Sequence, residues 1–388
     1  MRKPRLLIVF FTLLAAVVAT EAFLRISRPG PPEHPRSISA QLETQERIQH
    51  GTFAPDADLG ALLAPLQEVR VDTPEYNYTL RTDLAGFPNL EPWPEQLDVA
   101  VLGNSLITGA GVGYEGQFTT LMQKAPGNPT VLNFGIPGGG TAHQLGAYRK
   151  FVAPLQPKVV IATIWITWEI DNSLKFHDWQ DDDPRPPDFT SYRLAYRAAE
   201  QKPADAGSDP AGGWREDLRG LTRHSRLLEG LHDWSKSVRG IREPVEQVVL
   251  DSGEILNVSA RDQKRLLRGW DRPSMPAIRQ IFFEPLEQLQ AEVESQGGRF
   301  LVVLFPCKEE LYGARVLPQL LEPIEQTRAE LRSRGIPALD LYPIFAGSAH
   351  SRPAFYRNDM HMNAAGHEIT AQALAAALFA DQRLQPAR

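Results

Sequence analysis

Apolar residues fall into two kinds of run along this chain. One kind is short, uninterrupted by charge and has β-branched residues, as in Val99–Leu102 after Asp98, Thr130–Asn133, Lys158–Ile166 and Arg299–Phe305, with a further short strand at Ala338–Leu341. Runs of this kind predict strands buried on both faces, as in the interior of a parallel sheet. The other kind spaces its apolar residues at helical intervals. Phe118, Leu121 and Met122 mark one face of a helix starting near Gly116. Further helices are expected from Thr141 through Phe151, near 281–296, over about 317–334, and after Asn363, a good N-cap, through Leu374 and Phe379. Strand alternating with helix from Asp98 onward predicts an α/β domain, its parallel sheet covered on both sides.

Three stretches depart from that alternation. Residues 173–275 carry the acid run Asp181–Asp183, a polar Ala/Gly/Pro stretch at 203–213 and helical pieces around 216–240, and read as an insertion. Tyr76, Tyr78, Leu80 and Phe87 suggest short strands or a wrapping segment within 36–95. At the N-terminus, Arg2, Lys3 and Arg5 precede an uncharged stretch, Leu6–Ala19, whose apolar character continues to Leu24 past Glu21. Helical residues rise about 1.5 Å each, so this segment is long enough to span a bilayer core. Its basic flank predicts a signal anchor with the rest of the chain outside the cytoplasm. Thr20 and Glu21 break the small-residue pattern of a cleavage site, which disfavours a removed signal peptide. Pro29–Pro35 follows as a stiff linker. The expected organisation is therefore an anchor over 1–28, a linker and wrapping segment over 29–95, and a domain over 96–382.

Composition narrows the function. With 388 residues and 42% hydrophobic content a sizeable core is possible, and a net charge of -6 gives no basic surface for nucleic acid. Cys307 is the single cysteine, so there is no intrachain disulfide and no paired-cysteine zinc spacing. No cofactor and no metal is called for.

The candidate chemistry lies at two distant places. Ser105 follows Gly103 at the carboxyl end of the first central strand, where open α/β sheets bind ligands. Asp359 and His361 stand two apart on a loop before the last helix, so in an extended segment both side chains lie on one side. A serine nucleophile needs such a base and such an orienting acceptor. The amides of Ser105 and of Gly135, at the end of the next strand, are candidate donors to an oxyanion.

Four blocks, in order, resemble those of the SGNH (GDSL-type) hydrolases, in particular their membrane-anchored bacterial forms. They are Gly103-Asn104-Ser105-Leu106, with Asn104 where Asp is usual; Asn133 through Thr141; Phe305-Pro306-Cys307-Lys308-Glu309; and Asp359-Met360-His361. The resemblance covers about Asp98–Ala380 without the insertion. It implies a flavodoxin-like three-layer sandwich with a five-stranded parallel sheet. It also implies Ser105 as nucleophile, His361 as base, Asp359 as its orienter and Gly135 as an oxyanion donor. One block departs: after the third strand the family carries Gly-Asn-Asp, and here Thr167-Trp168-Glu169-Ile170-Asp171-Asn172 stands instead. Trp168 occupies the place of the oxyanion-binding Asn, and either its indole N–H or Asn172 is left to substitute. The expected function is an anchored, exported serine esterase acting on acyl esters, with cell-envelope glycans as a candidate polysaccharide substrate. An O-acyltransferase using the same acyl-enzyme, or a non-catalytic envelope binding protein on this scaffold, are the alternatives. Trp165, Trp168 and Trp179 read as core aromatics before a sugar- or acyl-binding wall, and His143 as a helix-surface residue. His367 has no acidic residue spaced to form a metal site with His361.

Overall fold

The chain enters the described structure as two antiparallel hairpins. It is a computed structural model that describes residues 52–73, 75–182, 184–185, 189, 245–268, 275–348 and 350–379. β1 (Phe53–Asp56) pairs with β2 (Gly60–Leu63), and β3 (Glu68–Asp72) with β4 (Asn77–Arg81). The short strands expected within 36–95 are these two hairpins. Tyr76, Tyr78 and Leu80 are buried in a small core with Phe53, Leu63 and Val71.

The central sheet is built as the apolar runs predict. After β5 (Val99–Gly103) come α1 (Phe118–Met122), β6 (Val131–Gly135), α2 (Thr141–Ala147), β7 (Val159–Ile164) and α3 (Ile166–Asp181). The hairpin β8 (Val245–Val249) and β9 (Ile255–Ser259) follows, with α4 (Ala260–Arg268) and α5 (Met275–Ser295). The chain closes with β10 (Arg299–Leu304), α6 (Lys308–Gly313), α7 (Glu322–Ser333), β11 (Ala338–Asp340), α8 (Tyr342–Ala346) and α9 (Ala364–Phe379). Strands lie in the order β11-β10-β7-β5-β6, all neighbours parallel. This is the flavodoxin-like order: the chain moves one way from β5 to β6, then reverses across β5 to β7 and continues to β11. Right-handed crossovers put helices of the two directions on opposite faces. Accordingly α1 packs with α9, whereas α2, α3 and α5 pack with one another.

Every residue of β5, β6 and β7 is buried. With both faces covered, a polar residue on either side would lose its water, so these strands do not alternate. Two expectations are corrected in detail. The run Lys158–Ile166 is not strand throughout, because β7 ends at Ile164 and α3 begins at Ile166. The buried Glu169 carboxyl group accepts the Trp165 amide and turns the chain into the helix. The helix expected over 141–151 is α2 followed by one wide turn, Tyr148–Val152. Asn363 does cap α9, its Oδ1 accepting the Gly366 amide at 3.1 Å.

The N-terminal anchor, the linker and the helical pieces at 216–240 lie outside the described residues. Among the described residues, no helix is long and apolar enough to cross a membrane.

Candidate active site

The chain reverses between β5 and β7, the place where open α/β sheets bind ligands at the carboxyl ends of their strands, and Ser105 follows the carboxyl end of β5. Gly103 ends β5 where a Cβ would collide with Thr163 Oγ1 and Ile107, so only glycine fits. Asn104 then closes the turn. Its Oδ1 accepts the Leu106 amide at 2.9 Å, and its carbonyl accepts the amides of Ile107 and Thr108, each at 3.1 Å. Its Nδ2, where the resemblance would put a carboxylate oxygen, is buried without a partner.

Gly135 lies against this turn. A Cβ on it would come within 2.6 Å of Thr108 N and 3.0 Å of Asn104 O, both backbone atoms. Its amide donates to Asn133 Oδ1 at 2.9 Å. The expectation that this amide faces an oxyanion is therefore corrected: it is engaged, and Gly135 serves close packing of β6 on the Ser105 turn. Among the described residues the Ser105 amide has no acceptor.

Ser105, His361 and Asp359 are joined in series. His361 Nε2 lies 3.0 Å from Ser105 Oγ, and His361 Nδ1 lies 2.6 Å from Asp359 Oδ1. Asp359 Oδ1 also accepts the His361 amide at 2.8 Å, and Oδ2 accepts the Tyr76 hydroxyl at 2.9 Å. Burial alone would raise the Asp359 carboxyl, but the His361 ring and these hydrogen bonds outweigh it and hold the group below its usual range. An ionised carboxylate only accepts, so Nδ1 carries the ring proton and Nε2 is left to accept from Ser105. A hydroxyl so placed can pass its proton to the imidazole while its oxygen attacks.

The loop bearing Asp359 and His361 hangs from four other parts of the chain. In the turn between β3 and β4, Glu75 accepts the amides of Asn358 at 2.8 Å and Asp359 at 3.0 Å. From β9, the Asn257 amide donates to Arg357 O at 2.9 Å. Tyr356 donates its hydroxyl to Gly111 O at 2.6 Å, tying the loop to the segment after Ser105. At the start of α6, the buried Lys308 ammonium donates to the carbonyls of Tyr356, Arg357 and Asp359 at 2.7, 2.8 and 3.1 Å. Sequence reasoning missed Glu75 altogether and read Tyr76 only as part of a short strand or wrapping segment. For Lys308 a signal existed: a charged pair directly after a buried strand needs a reason.

The opposite wall differs from expectation. Trp168 stands inside α3, its ring face covered by the Arg265 guanidinium 3.6 Å from the centroid. Asn172 donates to Gly139 O at 3.3 Å, holding α3 to the glycine loop. The Asn172 amide is thus engaged with the glycine loop, and the Trp168 ring is stacked beneath Arg265. The aromatic residue beside the base is Trp165, whose ring centroid lies 5.7 Å from that of His361. It is 3% exposed, and its indole N–H is buried with no acceptor. Trp179 packs with Phe176 and Phe189 elsewhere, so the three tryptophans form no single wall. His143 is buried rather than on the surface; its Nδ1 accepts the Gly140 amide at 3.0 Å. His367 is also buried, accepting the Phe118 amide at 3.2 Å, and burial pushes its pKa down to about 3.

Residues 280–387 match the family model of the SGNH hydrolase-like domain of the acetyltransferase AlgX, a stretch that holds Lys308, Asp359 and His361 but not Ser105. No curated protein matches the chain. Solved structures similar to it include a putative lipolytic protein of the G-D-S-L family from Desulfitobacterium hafniense DCB-2, at 9% identity and TM-score 0.38, covering 73% of this chain and 100% of that one. The lipase/acylhydrolase from Enterococcus faecalis is similar at 12% identity and TM-score 0.37, covering 75% and 100%. The acetyl xylan esterase AlAXEase is similar at 14% identity and TM-score 0.38, covering 73% and 100%. The part of the chain that includes the Asp359–His361 loop is thus similar to an SGNH hydrolase-like domain.

Proposed function

We infer that the protein transfers or hydrolyses acyl groups, acetyl first among them, through an acyl-Ser105 intermediate. The observation that carries this reading is the unbroken series Ser105 Oγ, His361, Asp359. Ser105 Oγ attacks the ester carbonyl as its proton passes to His361 Nε2. Asp359 keeps the ring in the tautomer that can receive the proton and offsets the imidazolium charge. The negative charge on the former carbonyl oxygen is met by the Ser105 amide and the Trp165 indole N–H. Collapse expels the alcohol, which takes the proton from His361. A water, or an acceptor hydroxyl, then gives its proton to His361 and attacks the acyl-serine, returning Ser105 with a carboxylic acid or a new ester. The acetyltransferase named in the family match supports acetyl as the group carried. The basic-then-apolar N-terminus supports anchoring in the cell membrane with the domain outside the cytoplasm, where envelope polysaccharide is the candidate acceptor or substrate.

The test is a serine-reactive fluorophosphonate followed by mapping of the adduct. Labelling on Ser105, and p-nitrophenyl acetate turnover that Ser105→Ala abolishes, are the expected results. Turnover equal in Ser105→Ala and wild type would leave a non-catalytic binding protein on this scaffold as the reading.

A further inference from the structure

Lys308 is a cation placed where cations are costly. Its side chain is 1% exposed, yet no carboxylate lies within ion-pair distance of its Nζ among the described residues. Instead all three ammonium protons are used on backbone carbonyls, those of Tyr356, Arg357 and Asp359. The carbonyls span four successive residues and converge on one point, which extended chain does not do unaided. Asp359 is both the last of the three and the residue that holds His361 Nδ1.

We propose that Lys308 is the positioning residue of the site: its ammonium gathers the 356–359 loop and so sets the Asp359 carboxylate against His361. The proposal rests on the serine reading above and concerns how its base is held. Lysine suits the task better than arginine, because a tetrahedral ammonium points three donors at converging oxygens whereas a planar guanidinium does not. Carboxylates surround the cation at longer range: Glu309 on its own helix, Glu75 from the turn between β3 and β4, Asp359 on the loop, and Asp262 from α4. They favour the charged form, while burial opposes it more strongly and pulls the amine down to about 8. Deprotonation leaves the nitrogen with two protons for three carbonyls, so the loop loosens as pH rises above that value.

The experiment compares wild type with Lys308→Met, which keeps the stem and drops the ammonium. In Lys308→Met, kcat and the rate of fluorophosphonate labelling should fall about 10- to 100-fold, in line with misplaced catalytic groups, with KM within about twofold. The low-field proton NMR signal of His361 Nδ1–H, which reports the short bond to Asp359, should weaken or move upfield. In wild type that signal and the labelling rate should both decline as pH passes about 8, and Lys308→Met should lack this limb. Lys308→Arg should not restore the rate. A folded Lys308→Met with the wild-type signal and labelling rate overturns the proposal while leaving the serine reading intact. Absent labelling in wild type would instead sink the serine reading, and the NMR signal would still decide whether Lys308 sets Asp359. If Lys308→Met does not fold, wild type decides, and a signal unchanged from neutral pH to well above 8 overturns it.

Discussion

A buried indole N–H without an acceptor costs about 1–3 kcal/mol. Trp93 avoids that cost by donating to Asp83 Oδ2 at 2.9 Å, whereas Trp165 bears it beside His361. On the function proposed above, an oxygen that turns negative during reaction is the acceptor it lacks at rest. Trp165→Phe, which keeps an aromatic ring and removes the donor, should therefore lower kcat about 10- to 100-fold with little change in KM. An unchanged kcat would remove Trp165 from the site. Trp168→Asn should behave differently: it strips the surface on which Arg265 stacks, so it should lower the melting temperature and bring no gain in turnover. Sequence reading separates these two tryptophans poorly. Trp165-Ile166 is as apolar as the strand before it, so the end of β7 is invisible in the sequence. Ser105, Asp359 and His361 are legible because each belongs to a short local motif at a strand end or before a helix.

Elements rather than single side chains decide where Ser105 points. The turn after β5 rests on Gly135 with backbone atoms of Asn104 and Thr108 against the place a Cβ would take. Gly135→Ala must push that turn away, because backbone cannot rotate aside as a flexible side chain does. Turnover should fall at least tenfold while far-UV circular dichroism stays that of wild type. An alanine variant of full activity would show that the turn tolerates displacement. β5, β6 and β7 are legible from unbroken uncharged runs, since burial on both faces imposes such runs, whereas β11 is short, carries Asp340 and is partly exposed. The role of the first hairpins is not legible. Glu75 and Tyr76 act on residues 283 and 284 positions away, and no periodicity along the chain encodes such a contact.

Across the whole molecule, acid groups are held in the interior. Burial raises Glu169 and Glu310 to about 8, and pushes Glu309 upward as well. The native state thus keeps protons that the unfolded chain, with ordinary glutamates, releases from about pH 4.5 upward. Their contribution to stability is full below that pH and is lost as pH rises to about 8. Glu310 gives a clean test, since one oxygen accepts the Cys307 amide at 2.9 Å and the other is buried without a partner. Glu310→Gln has no proton to lose, so its melting temperature should match wild type near pH 5 and exceed it near pH 8. Equal pH dependence in the two proteins would assign the effect elsewhere. The order of assembly carries a different consequence. Ser105 emerges from the ribosome long before His361, and the loop that carries His361 closes onto a hairpin made at the other end of the domain. A serine hydroxyl without its imidazole is an inert alcohol. Any chain cut short before residue 361, or caught half-made, is therefore unable to acylate itself or its surroundings, and reactivity arrives only once the His361 loop has been made and has joined the two ends of the domain.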